Sequence, residues 1–369
     1  MSLRSVVGLP RMNLAIFVVV CLGGSSVHTT PAVAQDARAS AVEEASSDSW
    51  GALTALGVEI QPGTKARLNS MPMTDFVGMR MAVPVWIARG QQPGKTLAVS
   101  AGIHGDELNG IEIARRVFVE TDPKQLLGTL VVLPVLNRHG FLAGSRYMSD
   151  RRDLNRAFPG SASGSSASII ANSVFPTIIR RADALVDLHT ASDTRINLPQ
   201  IRTDLSSPAA LDLARHFGIG VVLNGAGPKG SLRRTALDAG IPAIIYEAGG
   251  VHVLQNDEIE RGVVGVRNVM RHLGMIPSDA GTESPKATVY KKTRWLRVPP
   301  GAAGMFLTAL KPGNEVTRGQ QLGEVVDPLS DNTSPIIAPD DGVIIGMEVP
   351  NVVYTGDALF HLGLEKMEQ

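Results

Sequence analysis

Cysteine is nearly missing from this chain, which has 369 residues and contains Cys21 as its single cysteine. Cys21 lies inside an apolar run that we predict to be part of a removed leader, so the mature chain would carry no thiol. Cysteine catalysis, cysteine-bound zinc and disulfide bonds are then all excluded. The stability of the folded chain must therefore come from its apolar core.

The chain also has no net charge, because 35 basic residues balance 35 acidic ones. Aromatic residues are few and make up 4% of the chain. A balanced charge gives no general attraction to nucleic acid or to an anionic membrane. The hydrophobic content of 44% is typical of a globular protein with room for one large and one small domain. We predict no nucleic-acid partner, and ligand recognition must depend on local motifs.

The N-terminus has the pattern of a secretory leader. Arg4 and Arg11 precede the apolar run 14–22, and Ala32 and Ala34 have the spacing of small residues at a cleavage site. A membrane anchor is the alternative, but the run is shorter than the roughly 20 apolar residues that span a bilayer. We predict cleavage after Ala34, a periplasmic or secreted protein, and no stable membrane anchor in the mature chain.

Apolar runs alternate with amphipathic stretches through the middle of the chain. This alternation predicts an α/β fold with a mixed, largely parallel sheet and helices on both faces. We predict strands at 96–101, 129–136, 184–188, 220–223 and 241–246, and helices at 109–118, 166–181, 208–217 and 257–273.

The C-terminal part of the sequence has a different pattern, with short β-like runs between turns rich in glycine and proline. It resembles the lipoyl and biotinyl carrier barrel, but residues 327–334 contain no lysine where such carriers present their modified lysine. A small all-β, barrel-like cap is therefore favoured over a carrier. The predicted organisation is a signal peptide at 1–34, a lead-in at 35–60, the main α/β domain at 61–277, a linker at 278–286 and the β-rich domain at 287–369.

The first motif that could bind a metal ion is the segment 102–107, Gly-Ile-His-Gly-Asp-Glu, at a predicted junction of strand and helix. His104 and Glu107 are three residues apart, so an imidazole nitrogen and a carboxylate can converge on one ion, and both suit Zn²⁺. A loop histidine beside a glutamate that favours the helix dipole is the alternative. Further ligands are needed to decide.

A third candidate ligand, His189, follows the apolar strand 184–188 at its carboxyl end, the edge at which open α/β sheets bind ligands. Two histidines and one glutamate leave a fourth position for water, as in catalytic zinc sites. A buried core histidine is the alternative for His189. We predict one Zn²⁺ per chain on His104, Glu107 and His189. Asp187, two residues earlier on the same side of the strand, is a candidate partner of His189; facing a helix is the alternative for Asp187.

An arginine-rich loop follows Ser145, with Asp150 and Asp153 breaking up its positive charge. It lacks the interleaved aromatic residues that stack on nucleic-acid bases. Beside a zinc site, guanidinium groups can instead hold a substrate carboxylate and polarise a carbonyl group. The loop arginines are Arg146, Arg151, Arg152 and Arg156.

Glu247 places a carboxylate at the end of a strongly apolar predicted strand. Burying an acid is costly unless it has a partner. Glu247 can take a proton from water and return it to a departing amine; a salt-bridged edge-strand glutamate is the alternative. Arg233 and Arg234 lie upstream, where they could contact a second acidic group, although surface exposure is the favoured interpretation.

In this order and on an α/β pattern, these motifs resemble the zinc carboxypeptidase superfamily over residues 97–273, and specifically its succinylglutamate desuccinylase/aspartoacylase branch. The resemblance implies zinc on the three ligands named above and a C-terminal β domain near the site. It also implies substrate-carboxylate binding by Asn155 and Arg156, oxyanion stabilisation by Arg146, and general acid/base catalysis by Glu247. Compared with aspartoacylase, two extra residues lie between the Arg146-Tyr147 pair and the segment 153–156. Arg152 is therefore an alternative to Arg146 as the residue that contacts the substrate carbonyl.

The sequence thus predicts a zinc-dependent hydrolase that cleaves an amide bond in a small substrate with a free carboxylate, of the N-acyl amino acid deacylase type. A metallocarboxypeptidase that acts on short peptides or cell-wall fragments is one alternative. A non-catalytic carboxylate-binding module is another, but such a module has no need of the proton transfer that Glu247 provides.

Overall fold

A computed structural model describes residues 50–74, 80–278, 286–330 and 332–367. The predicted signal peptide, the beginning of the lead-in and most of the predicted linker lie outside these residues. Within the described ranges, no helix is both long and apolar enough to cross a membrane.

The described chain is a mixture of strands and helices, numbered here along the sequence. The strands are β1 (Leu53–Ala55), β2 (Val58–Ile60), β3 (Thr64–Thr74), β4 (Arg80–Arg89), β5 (Gln92–Ala101), β6 (Leu127–Leu133), β7 (Ala184–His189), β8 (Arg195–Thr203), β9 (Val221–Asn224), β10 (Ala243–Gly249), β11 (Thr288–Tyr290), β12 (Thr293–Arg297), β13 (Gly304–Leu307), β14 (Glu315–Val316), β15 (Gln321–Val326), β16 (Thr333–Ile337), β17 (Gly342–Glu348), β18 (Val352–Val353) and β19 (Ala358–Gly363). The helices are α1 (Leu108–Glu120), α2 (Arg138–Ala143), α3 (Ser166–Val174), α4 (Pro208–Phe217), α5 (Leu232–Asp238) and α6 (Asn256–His272).

One large mixed sheet organises the molecule, in the order β12-β19-β17-β8-β10-β7-β5-β6-β4-β3. Its centre, β6-β5-β7-β10, is parallel, whereas β8 and β4 flank that centre in antiparallel orientation. The carboxyl ends of the parallel strands therefore meet at one edge, where α/β proteins bind ligands.

Helices cover both faces of the sheet, as predicted for an α/β fold. Helices α1, α4 and α6 share one core, in which Val117 and Val266 are buried, and α3 and α5 share a second, in which Ile170 and Leu232 are buried. In α1 the buried residues recur at intervals of three and four, so a single stripe of the helix faces the sheet.

The observed elements overlap every predicted strand and helix, with one helix shorter than expected. The predicted helix 166–181 ends at Val174, and a separate 3-10 turn covers Ile179–Arg181. Pro176 accounts for the break, because proline lacks the backbone N–H and its ring clashes with the preceding turn of a helix. Strands β1, β2, β3, β4 and β8 and helices α2 and α5 were not predicted.

The C-terminal β-rich part has its own apolar core, which includes Phe306 and Phe360. It nevertheless continues the large sheet, because β17 pairs antiparallel with β8 and β11 pairs parallel with β9. Strands β16-β15-β13-β18 form a separate four-stranded sheet. The C-terminal part is thereby joined to the α/β core next to the ligand-binding edge.

Candidate active site

The carboxyl ends of the neighbouring parallel strands β5 and β7 bring the three predicted metal ligands together. His104 lies in the loop after β5, Glu107 immediately precedes α1, and His189 is the last residue of β7. The loop packs so tightly that a Cβ atom on Gly105 would lie 1.9 Å from the carbonyl carbon of Gly140. Only glycine fits there, which explains its place between His104 and Glu107.

The donor atoms of these three buried residues converge. Glu107 Oε1 lies 2.6 Å from His104 Nδ1, and Glu107 Oε2 lies 2.9 Å from His189 Nδ1. All three donor groups lie within 4.8 Å of one another. The structure thus brings together the residues predicted to hold zinc.

The remaining ring nitrogens of the two histidines face carboxylates. His189 Nε2 lies 2.9 Å from Asp187 Oδ2, and the Ser100 hydroxyl donates to Asp187 Oδ1 at 2.7 Å. His104 Nε2 lies 3.2 Å from Asp153 Oδ1. When Nε2–H donates to a carboxylate, the Nδ1 lone pair is free to bind a metal ion. Asp187 occupies its predicted place; sequence reasoning missed Asp153, because contact with His104 depends on the folded loop.

The electrostatics of the cluster suit a divalent cation. Burial lowers the pKa of His189, but the negative charges of Asp187 and Glu107 outweigh it and hold this pKa well above its ordinary value. Burial raises the pKa of Glu107, but His104 and His189 outweigh it and hold this pKa below its usual range.

The connected groups carry a net negative charge once both histidines are neutral, the form in which they bind a metal ion. Glu107, Asp153 and Asp187 contribute three negative charges and Arg146 contributes one positive charge, which leaves two negative charges when both imidazoles are neutral. Arg156 lies 3.8 Å from Asp153 but is half exposed, so solvent screens it. The donor set of two imidazoles and one carboxylate and this residual charge both fit Zn²⁺.

The two arginines that compete for the carbonyl role have different surroundings. Arg146 donates to Asp153 Oδ2 at 2.8 Å, lies 3.6 Å from Glu107 Oε1, and lines the cavity above the cluster. The Arg152 side chain is 63% exposed and lies 3.7 Å from Asp150. Arg152 is not among the described residues that line the cavity, and this geometry favours Arg146.

The predicted carboxylate-binding pair, Asn155 and Arg156, lies on a 3-10 turn that Asp153 caps. Asn155 is buried, and its Oδ1 accepts a hydrogen bond from the backbone N–H of Leu232 at 2.8 Å. A ligand would therefore meet the Nδ2 donor of Asn155. Arg156 is half exposed, and both residues line the cavity.

Glu247, on β10, lies in register with His189 on the adjacent strand β7. Its Oε2 accepts a hydrogen bond from Asn197 Nδ2 at 2.6 Å, and its Oε1 lies 3.2 Å from Arg202 Nη1. Both partners belong to β8, the strand that sequence reasoning did not predict. The alternation of polar and apolar residues at the start of this segment, Arg-Ile-Asn-Leu, was the signal that could have revealed the strand.

One cavity of about 440 Å³ is lined by His104, Glu107 and His189 and also by Glu247. The C-terminal part contributes Thr293, Trp295 and His361 to its wall, and the ring of Trp295 stacks on that of His361 at 4.3 Å. Burial and the charge of Arg202 lower the pKa of His361 to about 3, so this imidazole is neutral. The arginines that line the cavity are Arg146, Arg156, Arg195, Arg202 and Arg233.

Arg233 is buried, with 4% of its surface exposed, so the expectation of surface exposure was wrong for this residue. Its Nε and Nη1 have no hydrogen-bond partner within the described part of the chain. Burial, followed by the nearby charge of Arg202, lowers the pKa of Arg233 to about 10, so it keeps its charge at neutral pH. Arg234, the next residue, is partly exposed and pairs with Asp238 at 2.8 Å.

We expect the substitution Asp187→Asn to weaken zinc binding by about 10- to 100-fold, because a supporting hydrogen bond to a metal-binding histidine is worth roughly that much. Competition with a chromophoric chelator measures the change. Asp183→Asn, which removes a partly exposed carboxylate beside Lys95, is the control and should leave zinc affinity unchanged. Equal affinities in the two variants would contradict the role of Asp187.

Comparison with known proteins places this site in a family. The model of the succinylglutamate desuccinylase/aspartoacylase catalytic domain matches residues 93–273. The N-alpha-acetyl-L-2,4-diaminobutyric acid deacetylase of Halomonas elongata is 25% identical over 295 residues, which cover 75% of this chain and 84% of the relative.

Solved structures share the fold. The product-bound ectoine utilization protein EutE (DoeB) from Ruegeria pomeroyi has a TM-score of 0.75 at 21% identity, covering 81% of this chain and 95% of that one. The succinylglutamate desuccinylase/aspartoacylase from Rhodobacter sphaeroides has a TM-score of 0.74 at 23% identity, covering 85% and 99%. Residues 93–273 are thus identified as a catalytic domain of the succinylglutamate desuccinylase/aspartoacylase family.

Proposed function

We propose that this protein is a zinc-dependent deacylase that hydrolyses the amide bond of a small N-acyl amino acid with a free carboxylate. The supporting observation is that one cavity contains the His104, Glu107 and His189 cluster, Glu247 and five arginines. Its volume of about 440 Å³ suits a small molecule. The relative from Halomonas elongata, named as a deacetylase of an acetylated amino acid, supports the same class of reaction.

Each group in the cavity has a chemical task in this proposal. Zinc held by His104, Glu107 and His189 would supply a Lewis acid that acidifies water and polarises a carbonyl group. Glu247 takes the proton from the attacking water and later gives it to the departing amine. The guanidinium of Arg146 stabilises the negative charge that develops on the carbonyl oxygen.

The arginines of the cavity favour an anionic substrate. Arg195 and Arg202 already lie near carboxylates, at 3.5 Å from Glu348 and 3.2 Å from Glu247. Arg233 has no ion-pair partner within the described ranges and is buried. A buried, unpaired cation is costly, and a substrate carboxylate would remove that cost. We therefore add Arg233 to Asn155 and Arg156 as a carboxylate-binding residue.

Replacing Arg233 with methionine is expected to raise KM for the substrate by about 10- to 100-fold, because a charge-assisted hydrogen bond is worth roughly 1.5–3 kcal/mol. The value of kcat should change little. Arg234→Met is the matched control, since it removes the same charge from the next position of α5, where the side chain pairs with Asp238. Equal KM values for the two variants would exclude Arg233 as a carboxylate-binding residue.

The activity itself is tested with zinc-loaded protein and a panel of N-acetyl and N-succinyl derivatives of an acidic, a neutral and a basic amino acid, together with dipeptides. Mass spectrometry identifies the products. We expect a free acyl acid and a free amino acid, with the acidic amino acid preferred. Cleavage of the dipeptides alone would instead indicate a carboxypeptidase.

We also propose that the protein is exported, on the strength of the basic residues, the apolar run and the Ala-x-Ala spacing at its N-terminus. N-terminal sequencing of the protein recovered from its native cells tests this proposal. A chain that begins at Gln35 is the expected result, and a chain that retains residues 1–34 would contradict it.

A further inference from the structure

Strand β8 holds the side chain of Glu247 from two sides. Asn197 Nδ2 donates to Oε2 at 2.6 Å, and Arg202 Nη1 lies 3.2 Å from Oε1. Glu247 and Asn197 are both buried. A carboxylate with a partner on each oxygen cannot rotate freely about its terminal bond, so its orientation in the cavity is set by β8.

Arg202 differs from Arg233, which lines the same cavity. Arg233 is buried and has no carboxylate partner within the described part of the chain, whereas Arg202 is already paired with Glu247. An anionic substrate would gain less from Arg202 than from Arg233, because the charge of Arg202 is already compensated. The ion pair therefore indicates a role for Arg202 toward Glu247.

The C-terminal part reaches the same side chain through Asn197. Strand β17 pairs with β8 so that Gly346 lies opposite Asn197, and the backbone N–H of Val349 donates to Thr194 O at 2.9 Å. A Cβ atom on Gly346 would lie 2.5 Å from Asn197 Oδ1. The absence of a side chain at position 346 thus leaves room for the orientation in which Asn197 donates to Glu247.

We propose that Asn197 and Arg202 are positioning residues for the catalytic base, and that the C-terminal β-rich part maintains Asn197 in its orientation through Gly346. This proposal rests on the proposed function, in which Glu247 transfers the proton. Proton transfer requires the carboxylate within hydrogen-bond reach of the water. A displacement of about 1 Å at a reacting group can cost about 100-fold in rate.

The test compares steady-state kinetics of Asn197→Ala, Arg202→Met and Gly346→Ala with those of the wild type, all loaded with zinc. We expect kcat to fall by about 10- to 100-fold in Asn197→Ala and Arg202→Met, with KM within about threefold of the wild type, since a misplaced base slows chemistry and leaves substrate binding intact. A raised KM at unchanged kcat would overturn the proposal, because it would show that these residues bind substrate.

The double variant Asn197→Ala with Gly346→Ala separates positioning from a general loss of structure. Alanine at position 197 leaves space for the new Cβ at position 346, so the double variant should have the same kcat as Asn197→Ala alone. Losses that multiply in the double variant would overturn the proposed action of Gly346 through Asn197.

Measuring Glu247→Gln in the same series separates the role of Glu247 in proton transfer from its positioning by Asn197 and Arg202. Loss of turnover in Glu247→Gln together with wild-type kcat in Asn197→Ala and Arg202→Met would refute positioning and leave the proposed function intact. Wild-type turnover in Glu247→Gln would refute proton transfer by Glu247, and with it the positioning proposal, whereas a lack of hydrolysis by the zinc-loaded wild type would refute the proposed function itself.

Discussion

Replacing Glu247 with glutamine is expected to lower kcat by about 100- to 10,000-fold, the range in which general acid–base groups contribute. Glutamine has nearly the same shape but cannot accept and return a proton. Zinc content should stay at one ion per chain, because His104, Glu107 and His189 are unchanged. Steady-state kinetics and elemental analysis of the same preparation measure both quantities.

A matched control for this variant is Glu258→Gln. Glu258 is a largely buried glutamate of α6 that pairs with Arg261, and it is not among the described residues that line the cavity. This substitution should leave kcat within about twofold of the wild type, as expected for a change away from the site. Turnover equal to that of the wild type in Glu247→Gln would show that another group moves the proton.

The second large effect is expected for His189→Ala, which should lose both zinc and hydrolysis. The substitution removes one of the three proposed metal ligands. It also removes the imidazole that lies 2.9 Å from both Glu107 and Asp187. We expect zinc affinity to fall by more than the roughly 10- to 100-fold that the loss of a supporting residue costs. Metal content after gel filtration and kcat measured with added zinc check the prediction.

A surface group provides the control for His189→Ala. Asp212, His216 and His272 also lie close enough together to hold an ion, but the rings of His216 and His272 stack at 3.7 Å with planes only 19° apart. One ion cannot lie in both ring planes when the planes are nearly parallel and separated. His216→Ala should therefore keep one zinc ion per chain and full activity; loss of zinc from this variant would contradict the assignment of the ion to the buried cluster.

The three candidate metal ligands could be predicted to lie together because each is recognisable from a short segment of the sequence. His104 and Glu107 lie in one short segment, and His189 ends an apolar strand whose carboxyl end could be recognised from its neighbours. Glu247 could be identified as a candidate for the same reason, because it follows a run of apolar residues in the sequence. Each of these predictions needed only the type of a strand and the position of its end.

The supporting residues could not be predicted in this way because their contacts depend on distant parts of the chain. Asp153 meets His104 across 49 residues, and Asn197 meets Glu247 across 50. Arg233 was expected at the surface because helix α5 was not predicted, so nothing in the sequence indicated which side of Arg233 the fold covers. The folded structure shows that α5 turns this arginine toward the cavity.

The C-terminal part illustrates the same limit. Its β-rich character followed from the turns in its sequence, but the pairing of β17 with β8 depends on hydrogen bonds between segments about 150 residues apart. That pairing brings Trp295 and His361 to the cavity wall and Gly346 to Asn197. The site is therefore completed by residues outside the matched catalytic domain, 93–273.

Metal analysis combined with an activity assay is the decisive experiment for the zinc site. We expect one zinc ion per chain in the purified protein, loss of amide hydrolysis when a chelator removes the ion, and recovery of hydrolysis when zinc is returned. Undiminished hydrolysis by metal-free protein would contradict the assignment of His104, Glu107 and His189 as the ligands of a catalytic zinc.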